Sequence, residues 1–205
     1  MITRHSKQIY AAISAALTFT AGLHAAALNL VDVNAPAINC LFDASCKVTV
    51  NDSTGTIFLP GTTGSGFLQS RTFQGQPGTL EAGRTAYEYR IDLSHINSVA
   101  GSTNGIRSLA INFGPVLSGD YNSSGSANKQ VFVVKTGGLG VVGPSSAVQT
   151  GRTVTFTFNP PVRMGQSSYF FGMVSTNSMS TNFIADSFPI IGTNDIILPV
   201  RTPHP

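Results

Sequence analysis

The chain has 205 residues, of which 10% are charged and 41% hydrophobic, with 21 Gly, 11 Pro and no Trp. A chain of this length buries one substantial core, with two small ones as the alternative. Its formal charge of +3 is scattered, with no basic stripe and no interleaved aromatics, which excludes the electrostatic footprint of a nucleic-acid binder.

The chain opens with Arg4 and Lys7, continues with an apolar run from Ile9 to Gly22, and closes that run with Ala25, Ala26 and Ala27. A positive start, a middle too short to span a bilayer and an Ala-x-Ala ending are the layout of a secretory signal peptide over residues 1–27. The competing reading is a buried or membrane-anchoring N-terminal helix. Cleavage after Ala27 removes 27 of 205 residues and leaves 178, starting at Leu28. It also takes the 12 basic residues to ten against nine acidic ones, a net charge near +1, and removes two of the four histidines. No later apolar run approaches the roughly 18 residues of a membrane span. The expected location is secreted or periplasmic.

The mature part, residues 28–200, reads as one β domain with a flexible tail at residues 201–205. Its two cysteines stand six apart, at Cys40 and Cys46. In an oxidising compartment this spacing predicts a disulfide that closes a tight loop between the end of one strand and the start of the next. Metal binding is weaker, since no His lies nearby, and a redox role lacks the C-x-x-C spacing.

Cys46 to Asn51 alternates in period two, and Asp52-Ser-Thr-Gly55 is a turn cluster. Thr56 to Leu59 resumes a strand that Pro60-Gly61 stops. Gly61 to Gly66 is a loop, and Phe67 to Phe73 a further strand. Thr85 to Leu93 has the cleanest alternation: Tyr87, Tyr89, Ile91 and Leu93 face the core, and Glu88, Arg90 and Asp92 face water or a partner. Ile106 to Phe113 and Gln130 to Lys135 are strands, separated by a polar loop from Gly119 to Asn128. Thr153 to Phe158 places Val154, Phe156 and Phe158 inward, and Pro160-Pro161 is expected to end it. Ser168 to Ser175 is apolar enough to be a central strand buried on both faces. Phe183 to Ala185 and Asp195 to Val200 close the series. Short strands at this spacing, with Gly, Pro and Asn turns and little helix, predict an all-β fold, an antiparallel β-sandwich or jelly roll. A barrel is the structural alternative.

Candidate chemistry is sparse. The run Gly137 to Gly143 lacks the lysine and following helix of a phosphate-binding loop, so it reads as a connection between strands. A Ser–His–Asp triad would have to use His95, because His204 sits in the tail. The acids available for a glycosidase pair are Glu81, Glu88, Asp92 and Asp120. Glu88 and Asp92 stand at i and i+4 on one strand, about 13 Å apart at Cα, with Arg90 between them. Asp120 and Asn122, and separately Asn194-Asp195, offer oxygens but no acidic cluster suited to Ca²⁺. No metal and no cofactor is expected. Sugar recognition would rest on Tyr121 or Tyr169, and the possible ligand-binding residues are Asp120, Tyr121 and Asn122. The Thr-, Ser- and Asn-rich strand faces equally suit protein contact or edge-to-edge assembly.

Phe67-Leu-Gln-Ser-Arg-Thr-Phe73, Tyr87-Glu-Tyr-Arg-Ile-Asp-Leu93, Ile111-Asn-Phe-Gly-Pro115 and Ser168-Tyr-Phe-Phe-Gly172 resemble exported bacterial β-rich proteins. Many of these carry a C-terminal sorting tail of Pro-Glu-Pro, an apolar helix and basic residues (the PEP-CTERM type). The resemblance covers the region from Cys40 to Ser175. It implies a surface or matrix role and transfers no active-site residue. The last residues here, Arg201-Thr-Pro-His-Pro205, lack the apolar helix, so release is expected rather than membrane sorting. The expected function is therefore an exported, non-enzymatic β-sandwich of structural, extracellular-matrix or adhesion type. The alternatives are a carbohydrate-binding module and a secreted hydrolase. Expected partners are glycans or other surface and matrix proteins, with no nucleic acid and no membrane span once the leader is gone.

Overall fold

The computed structural model describes residues 24–99, 104–176, 179–188 and 196–203. In chain order it contains β1 (Ala25–Leu28), β2 (Leu30–Asn34), the helix α1 (Ala35–Phe42), β3 (Asn51–Ile57), β4 (Thr62–Thr63) and β5 (Gly66–Gln74). Next come β6 (Thr85–Asp92), β7 (Asn97–Ser98), β8 (Gly105–Asn112), β9 (Val131–Thr136) and β10 (Ser146–Thr150). The last are β11 (Thr153–Arg163), β12 (Phe170–Ser175), β13 (Met179–Phe188) and β14 (Ile196–Pro203). Residues 1–23 of the expected leader, Asn194-Asp195 and the last two residues, His204 among them, lie outside the described residues.

The fold is an all-β sandwich, as the alternation predicts. One layer is a four-stranded sheet in the order β1-β10-β11-β8, and the other a six-stranded sheet in the order β2-β9-β12-β6-β5-β3. The β13–β14 hairpin runs beside β8 and over β3 and β5, so it continues the smaller layer. Every pairing within the two sheets is antiparallel except β2 with β9, which is parallel. The chain reaches that position because β1 ends on one sheet and β2 begins, two residues on, at the edge of the other.

Alternation decides which side chains fill the space between the sheets. Tyr87, Tyr89 and Ile91 of β6 meet Val154, Phe156 and Phe158 of β11, and all six are fully buried. Phe171 sits at the centre, with its ring 4.7 Å from Phe156, 5.5 Å from Phe158 and 6.1 Å from Tyr89. β12 is central and buried on both faces, as its apolar run predicts. Leu198 and Val200 of β14 complete this core.

A second apolar cluster covers the outer face of the six-stranded sheet. Asn34 caps α1 by accepting the Ala37 N–H, and Pro36 stands in the first turn, where its missing N–H costs nothing. The helix buries Ile38, Leu41 and Phe42, and the Phe42 ring meets Phe73 edge-on at 4.9 Å. Cys40 lies on this helix and is bonded to Cys46, with Cα atoms 4.1 Å apart. The disulfide is as expected, but it staples a helix end to a turn rather than joining two strands.

Four further expectations are corrected. Asp52-Ser-Thr-Gly55 is not a turn: it lies inside β3, fully paired with β5, while residues 47–50 carry no strand. Pro160-Pro161 does not end β11, because the strand passes through a register shift between Thr157 and Val162 and then pairs Val162 with Ile106. Prolines are tolerated in strands at such irregularities. The tail does not fray at Arg201: β14 runs to Pro203 and Thr202 is buried. Finally, the polar face of β6 does not meet water, since all eight of its residues are buried.

Candidate functional site

The buried charges of β6 are the first place to look for chemistry. Register puts Asp52, Arg71, Glu88 and Gly172 in one row across β3, β5, β6 and β12, on the outer face of the larger sheet. Gly172 is required there, because a Cβ would stand 2.6 Å from both the Phe132 ring and the Tyr87 carbonyl oxygen. Glu88 is 1% exposed and its Oε2 lies 2.5 Å from Arg71 Nε. The Arg71 guanidinium stacks 3.7 Å from the centre of the Phe170 ring. Burial pushes the Glu88 carboxyl above the ordinary carboxylate range; Arg71 pulls it back and Asp52 adds to the rise.

Asp92 has a separate set of partners. Its Oδ2 is 2.5 Å from Arg90 Nη2, and its Oδ1 accepts the Ser94 N–H at 2.8 Å and the Ser94 hydroxyl at 2.5 Å. Partial burial works against the charge, but the Ser94 and Arg90 bonds outweigh it and hold the carboxyl below its usual value. Glu88 and Asp92 are thus on one face, as the spacing predicts, but each is bound to its own arginine. Ser94 Oγ also lies 3.1 Å from His95 Nδ1. In a hydrolytic triad the histidine stands between acid and serine. Here serine stands between, with its proton directed to Asp92, which is the geometry of a strand-end turn.

Asp120 and Tyr121 also differ from their expected roles. Asp120 accepts the backbone N–H groups of Ser124 at 2.8 Å and Gly125 at 2.7 Å, and the Ser124 hydroxyl at 3.1 Å, so its carboxylate closes a loop. Desolvation is the largest single influence and opposes the charge, but the three donors together overcome it and leave the carboxyl low. Tyr121 is not an exposed sugar platform. It is 1% exposed, its ring packs on Phe132 at 5.3 Å, and its hydroxyl donates to the Leu117 carbonyl at 3.3 Å. The ring lies over Gly119, where a Cβ would come within 2.4 Å of it. Burial, with the nearby Glu81 charge adding to it, raises the phenol far above its ordinary value. Glu81 is itself buried against Arg84, at 3.0 Å, and desolvation raises its carboxyl.

Two open clefts flank Lys135. One, of about 470 Å³, has a floor of Val33 and Tyr121 and polar walls from Asp32, Asn34, Asn122, Ser123 and Thr136. The other, of about 360 Å³, is bounded by Val141, Pro144, Asn159, Pro160 and the half-buried Tyr169. Lys135 lines both and pairs with Asp32 at 2.6 Å. Of the three candidate ligand residues, the structure therefore brings Tyr121 and Asn122 to one cleft and leaves Asp120 outside it. Asp32, Asn34 and Lys135 were not candidates. They converge because β2 lies parallel to β9, a pairing between segments about a hundred residues apart. Among the described residues, no three His, Cys, Asp or Glu side chains gather as metal ligands, and no helix is long and apolar enough to cross a membrane.

No protein-family model, no curated protein and no solved structure matches this chain.

Proposed function

We propose that the chain is an exported, non-catalytic β-sandwich of matrix or adhesion type. The observation that carries this is the state of its acids. Glu88 is sealed under Arg71, Asp92 is tied to Arg90 and Ser94, and Asp120 is committed to a loop. A general acid or base must reach a substrate proton within hydrogen-bond distance, and these groups are directed at protein partners instead. The Cys40–Cys46 bond fits an oxidising compartment, secreted or periplasmic. The resemblance to exported bacterial β-rich proteins points the same way. Purified protein assayed on a broad panel of glycoside and ester substrates is expected to show no turnover. Reproducible hydrolysis that disappears in Glu88→Gln or His95→Ala would reverse the proposal.

Glycan binding is the second reading, and the Lys135 clefts favour it. The half-buried Tyr169 lines a cleft with Lys135, Ser145 and Asn159, a pairing of one aromatic with polar side chains that suits a polyhydroxylated ligand. Oligosaccharide arrays test it. Binding that falls at least about tenfold, near 1.4 kcal/mol, in Tyr169→Ala and Lys135→Ala would support it. A blank array for the unaltered protein removes it.

A further inference from the structure

The three alanines that close the leader are also a strand. Ala25, Ala26, Ala27 and Leu28 form β1 and pair with Thr150, Gln149, Val148 and Ala147 of β10, at the edge of the four-stranded sheet. The three alanines are exposed, so β1 adds a hydrogen-bonded cover to β10 and little to the core. One residue on, the chain is firmly held. The Asn29 N–H donates to Gln130 Oε1 at 2.8 Å, and its Nδ2 donates to the Asn128 carbonyl at 3.1 Å. Its own carbonyl accepts the N–H groups of Gln130 and Val131. A cut after Ala27 therefore leaves β2 anchored and removes three of the four β1 pairs.

We propose that leader removal uncovers the β10 edge and that the mature chain pairs through it with a second copy of itself. The proposal rests on the exported reading above. Edges of native sheets are guarded by lysine, proline, bulges or a covering segment. The β3 edge of the other sheet carries Asp52, whose carbonyl accepts from Arg201 Nη2, and the β2 edge carries Asp32 paired with Lys135. β10 reads Ser-Ala-Val-Gln-Thr, with no charge and no proline, and its ladder with β11 runs without a register shift. Once β1 is gone, it has none of these guards.

The pairing of β1 demonstrates what the edge accepts: an antiparallel strand of small, uncharged residues. A second β10 has that character. In a two-fold arrangement centred on Val148, Val148 faces its own copy, Ala147 faces Gln149, and Ser146 faces Thr150. On one face the residues opposed are a β-branched pair and two hydroxyl pairs, which are favourable cross-strand neighbours, and on the other Ala147 opposes Gln149 twice. Every copy loses its cover at the same step of export, so the partner is always present.

The test uses the exported protein, with its N-terminus read by mass spectrometry and its mass in solution read by light scattering over a range of concentrations. The expected result is an N-terminus at Leu28 and a mass that rises toward the dimer, while protein beginning at Ala25 stays monomeric. Ser146→Lys/Thr150→Lys opposes lysine to lysine twice across the two-fold and is expected to weaken association about tenfold. Ser146→Glu/Thr150→Lys opposes Glu to Lys in the same register and is expected to restore it. Both variants change exposed residues, and an unaltered unfolding midpoint separates lost pairing from lost folding. An N-terminus at or before Ala25 overturns the leader reading and the proposal with it. An N-terminus at Leu28 on a protein that is monomeric throughout, or association indifferent to the charge register, overturns the proposal alone.

Discussion

Replacing Arg71 with Met keeps the aliphatic stem but removes the guanidinium 2.5 Å from Glu88. Glu88 is 1% exposed, so its carboxylate is then buried without a counter-charge. Breaking a buried pair in this way costs about 3 kcal/mol or more, and loss of the stacking on Phe170 is part of that figure, about 0.5–1 kcal/mol. Glu88→Gln is the control. It leaves Arg71, whose side chain is 26% exposed and can turn to water, and is expected to cost only about 1 kcal/mol. The two substitutions break the same contact, so their inequality, less the stacking that only Arg71→Met loses, reports the buried charge.

The pH dependence has a definite sign. Burial already raises Glu88 above its unfolded value, and Arg71 is the main group pulling it down. Removing Arg71 raises it further. A carboxyl with a raised folded pKa contributes stability that is fully present below the unfolded value and lost as pH rises through the folded one. The deficit of Arg71→Met is therefore largest near neutrality and shrinks as the solution is acidified through the carboxylate range. Urea midpoints measured at about pH 7 and about pH 4 check this. A deficit equal at both pH values, or a Glu88→Gln variant as unstable as Arg71→Met, would refute the buried-charge account.

Two further outcomes follow from the packing. Phe171→Ala removes the ring that touches Tyr89, Phe156 and Phe158, and is expected to cost about 3–5 kcal/mol in denaturant unfolding. Reducing Cys40–Cys46 opens a loop of only six positions, so unfolding with and without reductant is expected to differ by about 2 kcal/mol, with the amide-exchange change confined to α1 and the turn after it.

The alternating strands were legible because each carries its own periodicity. β5, β6, β8, β11 and β12 lie where the sequence predicts them, and the inward residues of β6 and β11 are the inward residues of the core. Cys40 and Cys46 were legible from spacing and expected compartment alone. Strands without such a pattern were not. β1, β2 and β10 are short, and β3 is written in Asp, Ser, Thr and Gly, residues that favour turns until a neighbouring strand takes up their backbone groups. The candidate site was legible only at Tyr121 and Asn122, because their cleft partners Asp32, Asn34 and Lys135 arrive through a parallel pairing that no local pattern announces.

The alternation of β6 and the Ala-x-Ala ending of the expected leader show where sequence stops and tertiary structure begins. Sequence alone determined that Glu88, Arg90 and Asp92 share a face, since period two is a property of the extended backbone. Only the tertiary structure decided that this face is buried, because Arg71 and Phe170, which seal it, come from the two strands on either side. Sequence alone likewise raised the expectation of a cleavage site at Ala25–Ala27. That the same residues cover a sheet edge depends on β10, more than a hundred positions away, and on hydrogen bonds that no local stretch of chain encodes.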